Sequence, residues 1–181
     1  MSVLFLVCYN FIRMFFVRIR NYESRLSWVQ RISPFCRLKV SRYGRLNLDY
    51  NIQIEAGSDI QVHENGVLHI GSRTYMNRYC MISVQNAVSI GDNCMFGPGV
   101  KIFDNNHCFS AQSGVSSELK TAPISIGNNC WIASDVVLLK GTVVGNNCVI
   151  GAGCVISGNI PDGTLVTQKK ELQLKKIIDR V

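Results

Sequence analysis

From Ile126 the chain repeats every six residues: IGNNCW, IASDVV, LLKGTV, VGNNCV, IGAGCV and ISGNIP set aliphatic residues at 126, 132, 138, 144, 150 and 156. The beat also runs through IGDNCM from Ile90 and FGPGVK from Phe96 to Ile102. Earlier it passes through Ile70, Met76, Ile82 and Val88, with a two-residue phase shift before Ile90. An amphipathic helix repeats every ~3.6 residues, so this pattern of β-branched side chains cannot be one. It predicts short strands joined by tight turns, each coil stacked on the last, because a single coil cannot bury its inner face alone. Glycine follows the aliphatic residue at 127, 145 and 151, where it is expected to supply backbone freedom at the bend. Cys80, Cys94, Cys130, Cys148 and Cys154 share one slot, four residues after the aliphatic position, which Val136 and Thr142 hold in other hexads. A small, weakly polar side chain filling an inner corner explains them.

The beat fails once. Between Ile102 and Ile126 stands FDNNHCFSAQSGVSSELKTAP, long for a connection inside so regular a coil. Because the repeat resumes in phase, residues 103–125 are expected to leave one corner as a projecting loop and return to it, with His107 near its base. His63 and His69 are the other two histidines; their spacing puts them on neighbouring sides of a coil, which argues against a shared metal site. No CxxC pair occurs, so no metal is expected. The GAGC of residues 151–154 lies inside the repeat with no helix after it, which excludes a phosphate-binding loop.

The hydrophobic share of 47% is ample for a buried core. Charge divides the chain. Residues 1–45 carry nine Lys/Arg against one acid, Glu23; residues 46–167 carry five against nine; residues 168–181 carry five against two. A basic head and tail on an acidic body do not form a nucleic-acid groove, and suit anionic lipid, phosphate or an acidic saccharide. The start, MSVLFLVCYNFIRMFFVRIR, lacks a positive leader region and a small-residue cleavage site, and Arg13 cuts its apolar run too short to cross a bilayer. The cysteines are therefore expected to be reduced, in the cytoplasm. Three parts follow: a basic, apolar N-terminal helical segment over 1–45, a coil over 46–166, and a C-terminal helix over 167–181. Residues 1–40 either touch the membrane surface peripherally, at the inner face of the cytoplasmic membrane, or cap the coil.

These motifs resemble those of the hexapeptide-repeat acyltransferases, over about residues 65–165. The branch they resemble holds the sugar O-acetyltransferases: the galactoside and maltose enzymes and those of capsule or O-antigen synthesis. The resemblance implies an all-β solenoid, a left-handed parallel β-helix, working as a homotrimer with sites between subunits. It implies acetyl-CoA as acetyl donor and a saccharide hydroxyl, sugar nucleotide or lipid-linked glycan as acceptor in surface polysaccharide synthesis. The segment from Ile90 to His107 is similar to one that ends in the family's general-base histidine. YMNRYC resembles the segment whose asparagine lies near the acceptor, which maps to Asn77. CWIASDVVLLKGTVVG resembles the segment lining the acetyl-CoA channel. On that mapping Trp131 is a wall for the pantetheine arm, Ser134 a backbone contact near the thioester, and Ala152 the next contact along the arm.

Chemically, a sugar hydroxyl needs a base to become nucleophilic, and a neutral imidazole is one. Asp104 or a backbone carbonyl would fix the tautomer of His107. Cys108 points away on an extended chain, a poor place for a nucleophile paired with His107. Two other readings stay open: N-acetylation of an amino-sugar nucleotide, and a β-helix scaffold without catalysis.

Overall fold

In the computed structural model, which describes residues 2–169, the six-residue beat becomes a parallel β-solenoid of about six turns with one N-terminal helix. Each coil lays one short strand on each of three faces, and strands stack in parallel from coil to coil. On the first face Arg31 lies over Gln53, then Tyr75, Met95, Trp131, Val149 and Leu165. The second face begins at Arg37–Val40 and the third at Arg45–Leu48.

Inward positions are filled by apolar side chains, Ile32, Ile54, Met76, Phe96, Ile132 and Ile150 on the first face alone, all essentially inaccessible to water. The phase shift before Ile90 marks a longer strand. Ala87–Ile90 turns two residues inward, Val88 and Ile90, as Ile124–Ile126 does above it, where Val143–Val144 turns only Val144. The coils take 22 residues at first, then 20, 18 and finally 16, so the stack narrows toward its C-terminal end.

Two expectations need correction. The coil begins at Arg31, not residue 46; the helix itself covers only Val3–Arg20. Arg31, Arg37, Lys39 and Arg45 stand at outward positions of the first coil, and their charges hide its inward beat of Ile32, Val40, Leu46 and Leu48. The glycines after the aliphatic residues are not the bend residues. At the bends Asn93, Asn129 and Asn147 hold φ between 55° and 57°. Gly127 is required by close stacking: a Cβ there would stand 2.7 Å from the backbone of Gly145 and Asn146 in the next coil.

The helix lies over the open end of the first coil. Met14 completes the core, Asn10 Nδ2 donates to the Ile32 carbonyl (2.8 Å), and Arg13 donates to that of Cys36 (2.7 Å). Asn21, just past the helix, donates to the Ser41 carbonyl (2.6 Å). The cysteines expected inside are buried and unbridged. The C-terminal helix expected over 167–181 falls, from residue 170, outside the described residues.

Candidate active site

Three corners run the length of the stack, and they differ in how they treat the backbone N–H of the second turn residue. At the corner between the third and first faces a ladder of side chains closes them. Ser72 N–H donates to Asp92 Oδ1 (2.6 Å), Asp92 N–H to Asn128 Oδ1 (2.8 Å), Asn128 N–H to Asn146 Oδ1 (2.9 Å) and Asn146 N–H to Asp162 Oδ1 (2.8 Å). The IGDNC and IGNNC motifs encode this ladder directly.

At the corner between the first and second faces the equivalent residues are Arg78, Pro98, Ser134 and Ala152, and no ladder forms. The N–H groups of Ser134 and Ala152 donate to no described residue. Two adjacent open N–H groups on a stacked corner, at half-buried Ser134 and exposed Ala152, form a donor track within reach of a ligand. Gly97 keeps the track narrow, because a Cβ there would stand 2.6 Å from the Ser134 nitrogen. Trp131 flanks it from the strand leading into the corner, with 54% of its surface exposed. Two coils earlier Asn77 occupies the same corner. Its Oδ1 accepts from Arg78 N–H (2.7 Å), which fixes the amide and leaves Nδ2 turned to solvent. Asn77, Trp131, Ser134 and Ala152 thus lie along one edge.

His107 lies at a different corner, between the second and third faces. The expected loop is a β-hairpin, Asn105–Ser110 paired antiparallel with Gly114–Thr121. It leaves the coil at Asp104 and rejoins it at Ala122, whose N–H donates to the Asp104 carbonyl (3.0 Å). His107 pairs with Leu119, and beyond it the register slips by a bulge on the returning strand. The bulge brings the Ser116 carbonyl 3.1 Å from His107 Nδ1. A carbonyl only accepts, so Nδ1 carries the proton and Nε2 presents its lone pair outward. Sequence reasoning missed Ser116, since a contact through the main chain leaves no trace in side-chain identity.

Asp104 is not the tautomer-fixing residue. It is fully buried, and its carboxylate accepts from Gln85 N–H (2.9 Å), Asn86 N–H (2.7 Å) and Asn105 Nδ2 (3.0 Å). It pins the foot of the hairpin to the coil beneath. Cys108 bonds to no described group. His63 meets Ser83 Oγ (3.3 Å) and His69 meets Asp49 (3.1 Å), in separate pairs. Among the described residues no three metal-binding side chains converge.

Stacked three-sided coils, a hairpin bearing a histidine and a corner of open amides define a parallel solenoid of the hexapeptide-repeat type. The model of the bacterial transferase hexapeptide (six repeats) matches residues 123–158, and that of the hexapeptide repeat of succinyl-transferase matches 87–101. Over those residues the chain carries the repeat that these transferase models describe. It is 34% identical over 113 residues to the galactoside O-acetyltransferase of Escherichia coli (strain K12), covering 62% of this chain and 56% of that one. It is 28% identical over 142 residues to the putative lipopolysaccharide biosynthesis O-acetyl transferase WbbJ of the same organism, covering 74% and 72%. A galactoside acetyltransferase solved in complex with coenzyme A superposes with a TM-score of 0.59 at 32% identity, over 65% of this chain and 58% of that one. The chain thus spans little more than half of the galactoside enzyme's length.

Proposed function

We propose that this chain is an acetyl-CoA-dependent O-acetyltransferase acting on a saccharide hydroxyl in surface polysaccharide synthesis, at the cytoplasmic side of the membrane. The observation that carries the reading is the bond from His107 Nδ1 to the Ser116 carbonyl, which leaves Nε2 as a base on an exposed hairpin. The likeness to sugar O-acetyltransferases supplies the substrate class.

The chemistry follows from the groups present. Asn77 Nδ2–H donates to the acceptor hydroxyl oxygen, which turns the hydroxyl proton toward His107 Nε2. As Nε2 takes that proton, the oxygen forms a bond to the thioester carbonyl carbon. The resulting oxyanion accepts from the open Ser134 N–H, a fixed donor that needs no rearrangement when charge develops. The carbon–sulfur bond then breaks, and the imidazolium returns its proton to the departing thiolate. Trp131 and the Ala152 N–H hold the pantetheine arm along the corner. His107 and Asn77 sit at different corners of one chain, so the reading requires the hairpin of one copy to meet the Asn77 corner of another. A homotrimer with three shared sites satisfies that requirement.

Thiol release from acetyl-CoA, followed across a panel of sugars, sugar nucleotides and serine, tests this. Turnover with a sugar hydroxyl should fall at least about 10²-fold in His107→Ala, within the usual worth of a general base. Turnover unchanged by His107→Ala refutes the mechanism. Turnover only with amino-sugar nucleotides assigns N-acetylation instead.

A further inference from the structure

The helix Val3–Arg20 caps the first coil with one side and leaves a broad apolar side uncovered. Its inner side meets the coil through Asn10 and Arg13, with Met14 buried and Val17 packed half-buried against the core. Its opposite side is an apolar strip of Leu4, Phe5, Ile12, Phe15, Phe16 and Ile19, each between 48% and 73% exposed. At 100° per residue these six fall within about a third of the helix circumference, centred opposite Asn10 and Met14. A contiguous apolar strip of that size on a surface marks a contact with something apolar.

The borders of the strip say what that is. The helix contains no acid; Arg18 and Arg20 lie in its last turn, and residues 1–45 hold nine basic side chains against Glu23. Amphipathic aromatics accompany the cations, as at a membrane interface: Arg18 stacks over Trp28 (5.7 Å), and Tyr22, just past the helix, is 83% exposed. The helix is not long and apolar enough to cross a bilayer. A second copy packed strip to strip in parallel would set Arg18 and Arg20 against the partner's like charges, with no acid on either helix to answer them.

We infer that this strip docks the protein on an anionic lipid surface, the helix lying flat among the headgroups. The aliphatic and aromatic side chains enter the acyl boundary while the arginines meet lipid phosphates. Because the helix covers the first coil, the stack then rises from the membrane. Three coil steps of ~4.8 Å above a helix ~10 Å thick put the His107 hairpin roughly 25 Å from the surface. The inference stands without the acyl-transfer reading.

Flotation of the full chain with vesicles tests it, using phosphatidylcholine alone and phosphatidylcholine mixed with phosphatidylglycerol. The chain should float with the mixed vesicles and stay with the unbound fraction on phosphatidylcholine alone. Ile12→Gln with Phe16→Gln should lower the partition coefficient about tenfold or more. Arg18→Glu with Arg20→Glu should lower it as much at low salt and far less at high salt. Both pairs lie outside the core, so circular dichroism and thermal midpoint should match the parent; Phe5→Gln with Phe15→Gln replaces a pair that does not fold. The inference is overturned if the parent chain fails to float with the anionic vesicles, or if the glutamine pair floats equally well. A glutamine pair that falls to a smaller oligomer also overturns it, by assigning the strip to a second copy. Thiol release with a soluble acceptor, unchanged in the glutamine pair, separates docking from chemistry.

Discussion

Two of the solenoid's three corners, the closed and the open one, differ by so little that one can be converted into the other. IGAGC at 150–154 stands where IGNNC would build a ladder rung, and Ala152→Asn supplies the missing side chain. In the closed corner, Asn146 Oδ1 takes the Asn128 N–H at 2.9 Å. The introduced amide would be related to Ser134 by the same stacking step, so its oxygen would accept the Ser134 N–H. A net hydrogen bond is worth about 1 kcal/mol, and for a chain of this size that raises the thermal midpoint by about 2–4 °C. If Ser134 N–H is the oxyanion donor, the same bond removes it from catalysis, and kcat should fall by about 10²–10³. Differential scanning calorimetry and thiol release on one preparation read both effects. Asn146→Ala is the mirror experiment: it opens a rung in the closed corner, costs about 1 kcal/mol and leaves turnover alone. A variant that is more stable and fully active would refute the role given to Ser134. A variant that is inactive and no more stable would show that the side chain merely blocks the corner.

Two further outcomes follow from the packing. Gly127→Ala forces a Cβ to within 2.7 Å of backbone atoms that the next coil cannot move, so the midpoint should drop by about 5 °C or more. Asn129→Gly, at φ 57°, should move it by less than about 2 °C; the reverse order would restore the bend explanation for Gly127. Burial pushes the Cys36 and Cys80 thiols up to about 11 from an ordinary 9.0. Below 9.0 both folded and unfolded chains keep these protons; between 9.0 and 11 the unfolded chain loses them first, so stability falls with rising pH across that window, by about 2–3 kcal/mol per thiol at its top. Urea midpoints from pH 8 to 11 should show that fall, and Cys80→Val, a residue that fills the same slot at 136, should flatten part of it. An equal fall in the variant would remove Cys80 from the account.

Much of the architecture was legible because stacking imposes its own spacing. A residue such as Ile132 must meet Ile150 one coil later, and the six-residue interval records it. The first coil was harder, since arginines alternate with its aliphatics and its 22-residue length breaks the interval. The open corner was legible only by likeness: Ser134 and Ala152 act through the main chain, and an amide without a partner has no letter of its own. The orienting contact of His107 was hidden for the same reason, because it comes from a carbonyl displaced by a bulge. Asp104 misled by adjacency. Three residues along a strand from the histidine, it turns into the coil and holds main-chain N–H groups there.

The hairpin has a consequence beyond its histidine. Lys101–Phe103 still pairs with Val137–Leu139, and Ile124–Ile126 with the strands on either side, as though the residues between them were absent. The supporting frame therefore carries no information about the length or content of what projects from it. Segments of other size and composition can be exchanged between Asp104 and Ala122 with the cost confined to their own ends. Such a frame lets the reach of a site drift quickly from one lineage to the next while its foundations stay still.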